Sequence, residues 1–148
     1  MVHLVLGFAV IGLNLGAGAL GAFRWWRAET SRSFWPLARA GQAAVVVQVL
    51  LGGSLVVLGY APDDDLHYVY GALPVAASFV AEQLRVGAAE TVLEARGIAS
   101  AQAVGDLPEP EQRSVVLAIM RREMGVMAMG ALVVAALALR AAFVSGGL

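Results

Sequence analysis

Four long apolar stretches, separated by segments that carry most of the charged residues, divide this chain. A helix that crosses a membrane needs about 20 mostly apolar residues. The first two stretches contain no Asp, Glu, Lys or Arg, whereas the third and fourth each carry a few charges near their ends. The pattern predicts an all-α integral membrane protein, a single domain folded as a four-helix bundle. Its predicted spans are residues 2–23, 41–60, 67–88 and 122–143.

The composition agrees with a membrane protein. Of 148 residues, 59% are hydrophobic and 14% are charged, against about one-half and one-quarter in soluble domains. The chain has no cysteine, which excludes disulfides and thiolate metal ligands. A net charge of −1 and the lack of a basic soluble region argue against nucleic-acid binding.

The charges on the connecting loops predict an orientation. Loop 24–40 carries four arginines against one glutamate, and loop 89–121 is also rich in arginine. The loop between spans two and three has no basic residue and three acidic ones: Asp63, Asp64 and Asp65. Because basic loops stay on the cytoplasmic side, both termini are predicted to lie outside a bacterial-type plasma membrane. Spans one and three then run in the same direction, from outside to inside.

The only two histidines open these two parallel spans. His3 and His67 are therefore predicted at one depth near the outer face, where they form a candidate pair of axial ligands for haem iron. Gly7 and Gly71 lie one turn further along the same helix faces and would leave room for a flat macrocycle. Arg140, at the outer end of span four, is a candidate partner for the haem propionates. The plainer alternatives are a solvated His3, a His67 that only caps its helix, and an Arg140 that anchors the interface.

Polar residues inside the spans fall into two groups. Asn14, Gln48 and Ser78 are interpreted chiefly as interhelical hydrogen-bonding residues. The second group lies at the inner ends of spans three and four, and we interpret it as an ion-pair cluster rather than a proton path: Glu82, Arg85, Arg122 and Glu123.

Part of the chain resembles the haem A synthase family and related four-helix membrane cytochromes. The run from Gln48 to Ala72 is similar to a family segment with a Gln-x-x-Leu-Gly helix, a short outer loop and a helix that opens with a haem-ligating histidine, here His67. The opening His3 to Gly7 is similar to the family's other ligand helix. The chain matches only one of the family's two four-helix halves, and it lacks both the glutamate before the first histidine and the cysteine pair of some members. The resemblance therefore implies a haem-binding half-bundle and not haem A synthesis.

These observations lead to two functional hypotheses. The first is a b-type cytochrome-like protein that binds haem b, works as an electron carrier or redox subunit rather than a stand-alone catalyst, and has no catalytic residues of its own. Its expected partners are the lipid bilayer and either a membrane redox protein or a second copy of the chain. The alternative is a haem-free accessory or scaffold protein that docks a partner membrane protein through its glycine-rich faces.

Overall fold

A computed structural model of the chain, which describes residues 1–60, 62 and 64–144, is built from α-helices. Asp63 of the acidic loop lies outside the described residues. A short 3₁₀ helix, Gln102–Asp106, precedes the last α-helix. The four α-helices in chain order are α1 (Val2–Trp26), α2 (Phe34–Val57), α3 (Leu66–Ala95) and α4 (Glu109–Val144).

Three helices in the described part of the chain are long and apolar enough to cross a membrane, namely α1, α2 and α4. The helix α3 has sufficient length at 30 residues, but Glu82 and Arg85 interrupt its apolar sequence. The predicted helical bundle is thus confirmed with three candidate spans, and the fourth span stays a prediction. The predicted bounds need correction. The helix α2 begins at Phe34 and ends at Val57 rather than spanning 41–60, and α4 begins at Glu109 rather than at 122, so parts of the predicted loops 24–40 and 89–121 are helical.

The helices do not pack evenly around the bundle. The helix α1 packs extensively on α2 and α4, and α4 packs on α3, whereas α2 touches α3 and α4 only sparsely. We call the end that contains His3 and His67 the histidine end, and the opposite end, with Arg39 and Arg85, the arginine end. The main buried cluster lies toward the arginine end and comprises Ala17, Phe34, Ala38, Ala81, Met124, Met127, Ala128 and Ala131. A smaller buried layer of Val10, Val45 and Val134 lies nearer the histidine end.

Glycines allow the close packing at the arginine end. A Cβ atom added at Gly21 would lie 2.5 Å from the Phe34 ring and 2.7 Å from the Ala128 Cβ. Carbon atoms at optimal contact are ~3.5–4.0 Å apart, so this position has no space for a side chain. The glycine therefore sets the distance between α1 and both of its neighbours.

Three helix ends adopt the left-handed conformation that closes a helix, and Gly59 (φ 90°) does so after α2. Gly97 (φ 68°) ends α3, and a glycine directly after a helical segment is itself the sequence signal for such a stop. Ala28 (φ 57°) plays the same part after α1, although a side chain is unfavourable in this region.

The adjacent Glu29 accepts hydrogen bonds from Arg24 and Arg27. These bonds hold the pKa of Glu29 below its usual value, and the bond from Arg24 has the larger effect.

Candidate functional site

The two histidines meet at the histidine end of the bundle. Their ring centroids are 6.0 Å apart and the ring planes are tilted by 59°. Because α1 and α3 begin at the same end, each ring comes from the first turn of its helix, and both residues are partly buried. The predicted meeting of His3 and His67 is therefore present in the fold.

A cavity of about 780 Å³ opens beside the two rings. Ligand-binding cavities typically measure ~300–1,000 Å³ and are lined mainly by apolar groups with a few polar ones. Residues of all four helices line this cavity, and most of them are aliphatic or glycine. The polar side chains on its wall are those of His3, Gln48, Tyr60, His67, Tyr68 and Tyr70.

A backbone carbonyl determines the tautomer of His67. The Nδ1 atom of His67 lies 3.3 Å from the carbonyl oxygen of Ala141 in α4. A carbonyl oxygen only accepts hydrogen bonds, so Nδ1 must carry the proton and donate it. In the neutral form of the ring, the lone pair is then on Nε2, which is the arrangement of a histidine that can bind a metal.

His3 is held by α2. The side-chain amide of Gln48 donates to the carbonyl oxygen of His3 at 3.0 Å and lies 3.4 Å from the ring Nε2. The other ring nitrogen, Nδ1, is buried without a hydrogen-bond partner. A Cβ added at Gly52 would lie 3.1 Å from Cε1 of the ring. The glycine thus lets the imidazole lie directly on the backbone of α2.

The other three predicted site residues differ in their surroundings. A Cβ at Gly7 would lie 3.4 Å from the Gln48 amide nitrogen, whereas one at Gly71 would meet no atom within 4 Å. Both glycines line the cavity, and Gly71 is the one that leaves open space. Arg140 is exposed, and its guanidinium lies 5.3 Å from the ring centre of Tyr70, a residue of the cavity wall. Arg140 therefore lies next to the cavity but is not part of its lining.

A polar cluster joins three helices at the arginine end. Glu82 of α3 accepts hydrogen bonds from Arg39 and Gln42 of α2 and from Arg85 of its own helix. Arg85 also reaches Glu123 of α4, with 3.3 Å between Nη1 and Oε1. This polar cluster ties α2 to α3 at the arginine end, while the cavity separates parts of the same two helices at the histidine end.

The sequence predicted the cluster with partly different members. Arg122 was placed in it but is exposed and takes no part in the contacts described above. Arg39 was assigned to the loop 24–40, and Gln42, in predicted span two, was given no role, although both lie on one side of α2, three residues apart. For the histidine site, the contribution of Gly52 was detectable from its spacing, since it is one turn from Gln48. The carbonyl of Ala141 carries no sequence signal.

The interpretation of the intramembrane polar residues also needs correction. Asn14 and Ser78 donate to carbonyl oxygens four residues earlier in their own helices, at 2.8 Å each. Gln48, by contrast, donates to another helix. Two of the three residues therefore satisfy their side chains locally, because a carbonyl one turn back is within reach of a short side chain.

The donor set limits what the site can hold. Among the residues that the structure describes, no three His, Cys, Asp or Glu side chains form a group suited to a metal ion. Zinc sites take three or four protein ligands, whereas a haem with two axial histidines needs only two, since the porphyrin supplies the other donors. The histidine pair, the cavity and the open space at Gly71 thus fit a haem better than a bare metal ion.

No family model, curated protein or solved structure matches this chain. The functional assignment consequently rests on the residues and their geometry.

Proposed function

We propose that this chain is a membrane haem-binding protein of the b-type cytochrome kind, with His3 and His67 as the axial ligands. The observation that carries the proposal is the pair of imidazole rings, 6.0 Å apart, on the wall of a cavity of about 780 Å³. Its role would be electron transfer, alone or as a subunit of a redox complex.

The spacing of the rings is what two ligands of one metal require. A metal–nitrogen bond to imidazole is about 2 Å long, and a ring nitrogen lies ~1.1 Å from the ring centre. Two imidazoles on opposite sides of one metal therefore have centroids about 6 Å apart. The observed 6.0 Å matches this separation, and the His3 ring would have to turn its Nε2, which lies 3.4 Å from the Gln48 amide nitrogen, toward the metal.

The chain's own residues would bind the haem and surround it. The hydrogen bond from His67 Nδ1 to Ala141 leaves Nε2 available and fixes the direction of the ring. The mainly aliphatic lining would surround the haem with groups of low polarity, where each remaining polar group has more influence on it. Arg140 and the neighbouring tyrosines would interact with the propionates. When bound, haem supplies one-electron chemistry that no side chain here provides.

The same proposal places the protein in a bacterial-type plasma membrane with four spans and both ends outside. What supports a fourth span is the surface of α3, which exposes Val69, Leu73, Phe79 and Val80 among other large apolar residues. The charges of α3 that interrupt this sequence are paired within the polar cluster. Paired charges are the form in which ionisable residues are tolerated within membranes.

The test is the pigment of the purified chain. After expression in bacterial membranes and extraction in mild detergent, we expect a Soret band and the spectrum of low-spin haem. His67→Ala and His3→Ala should each abolish the low-spin signal. Gly12→Ala, at an exposed position of α1 outside the cavity lining where an added Cβ meets nothing within 4 Å, serves as the matched control and should retain it.

Two results would overturn the proposal. A folded, colourless protein that takes up no added haem would favour the alternative of a haem-free accessory or scaffold protein. Low-spin haem that persists in His3→Ala would exclude the paired ligation.

A further inference from the structure

We infer that Gln48 is a positioning residue that holds His3 in place for ligand binding. This inference rests on the proposed function, but it concerns a residue that is itself no ligand. It starts from the location of His3 in the first turn of α1, two residues after the helix-capping Met1. A ligand at that point needs support from outside its own helix.

The start of α1 has little stabilisation of its own. Met1 caps the helix without a side-chain hydrogen bond, and the first turn has no acidic residue. Helix ends that lack such groups fray, because their terminal backbone groups have no partners within the helix. A histidine in a frayed turn would sample many positions, which is incompatible with a fixed axial ligand.

Gln48 supplies the missing support from the neighbouring helix. Its amide nitrogen reaches both the His3 carbonyl, at 3.0 Å, and the ring Nε2, at 3.4 Å. The hydrogen bond to the carbonyl constrains the backbone of His3. The ring contact is not part of this support, because an amide donor at Nε2 would compete with a metal for the lone pair of that nitrogen. Asn14 and Ser78 do not support a neighbouring helix in this way, since each donates its hydrogen bond within its own helix.

The chemistry of the contact fixes which way the amide points. Turning the amide would place its oxygen against the His3 carbonyl oxygen, and two acceptors at that distance repel each other. The amide oxygen Oε1 is buried without a partner in the present orientation, so the NH₂ group makes the contact that holds the side chain. The two adjacent glycines, Gly7 and Gly52, allow this approach: added Cβ atoms would lie 3.4 Å from the amide nitrogen and 3.1 Å from the His3 ring.

The experiment compares Gln48→Leu and Gln48→Glu with the wild-type chain. Leucine removes all polar contact, and glutamate retains the size but loses the amide donor. Loss of a group that orients a metal ligand typically weakens metal binding 10- to 100-fold. We expect both variants to bind haem roughly 10- to 100-fold more weakly in titration, and to show shifted g-values in electron paramagnetic resonance because the His3 ring turns. Ser54→Ala is the control, since this exposed hydroxyl of α2 bonds only to Leu50 of its own helix.

A second measurement does not depend on haem. Hydrogen–deuterium exchange of the backbone amides of residues 5–7, the first that bond within the start of α1, should become roughly 3- to 10-fold faster in both Gln48 variants, as expected for the loss of one hydrogen bond. Exchange rates equal to those of the wild type in both variants would overturn the inference. If the wild-type chain binds haem, variants with unchanged haem affinity and unchanged g-values would overturn it as well. If the wild-type chain binds no haem but Gln48→Leu loosens the first turn, the proposed function fails and the positioning of His3 by Gln48 stands.

Discussion

Replacement of Gly21 by alanine tests the packing that fixes α1 between its two neighbours. The new Cβ would lie 2.5 Å from Phe34 Cε2 and 2.7 Å from Ala128 Cβ, and both of these residues are 0% exposed. Relief to ordinary contact requires a shift of ~1 Å, because optimal carbon–carbon distances are ~3.5–4.0 Å. Overpacking of this kind is destabilising by about 1–3 kcal/mol, while alanine is favoured over glycine within a helix by ~0.5–1 kcal/mol. We expect Gly21→Ala to lower the free energy of unfolding by about 1–2 kcal/mol.

Gly12→Ala is the matched control on the same helix. Its added Cβ would meet no atom within 4 Å, so only the helix preference of alanine remains and the variant should be stabilised by ~0.5–1 kcal/mol. Both variants are to be unfolded by denaturant or heat in one detergent, with helix content followed by circular dichroism. The described packing of α1 is wrong if the two variants change stability by the same amount, or if Gly21→Ala is the more stable of the two.

Three further substitutions test separate features. Ala28→Gly should raise the free energy of unfolding by about 0.5–1 kcal/mol, since it relieves a left-handed φ of 57°, and a loss of stability in thermal unfolding would contradict this. Gly52→Ala should push the His3 ring by a few tenths of an ångström and alter the ring's NMR shifts and any haem spectrum, because the new Cβ would lie 3.1 Å from Cε1; Gly12→Ala, outside the cavity lining and with no atom within 4 Å of the new Cβ, should leave both unchanged. Glu82→Gln should destabilise by about 1–3 kcal/mol, the usual contribution of hydrogen bonds to a charged group, and stability equal to that of the wild type would show that the polar cluster does not join the helices.

The sequence was sufficient for features that depend on local chemistry. The apolar stretches gave the number and order of the α-helices, and Gly97 gave the end of α3 because a left-handed residue is needed there. Helix α3 shows where this approach becomes ambiguous. Glu82 and Arg85 lower the mean hydropathy of α3, but this average takes no account of their pairing with residues of other helices.

The contacts of the histidine site needed the fold. Parallel helices with a histidine at each start predict that His3 and His67 share a depth, but depth alone does not specify which faces meet. The rotation of α1 is set by Asn14, Gly18 and Gly21, which are buried against other helices. The rotation that buries these residues also brings His3 to Gln48, and the sequence contains no local signal for that pairing.

The location of the cavity follows from where the chain places its small and large residues. Phe34 and Met124 fill the arginine end, whereas glycines line much of the wall at the histidine end. The cavity is open to its surroundings rather than sealed, so a lipid chain can occupy it as readily as a ligand can. A lipid chain has no group to pair with the imidazole nitrogens on the wall, whereas the haem of the proposed function would have one. Under that proposal, the histidines are the feature that distinguishes a cofactor site from a lipid-filled groove.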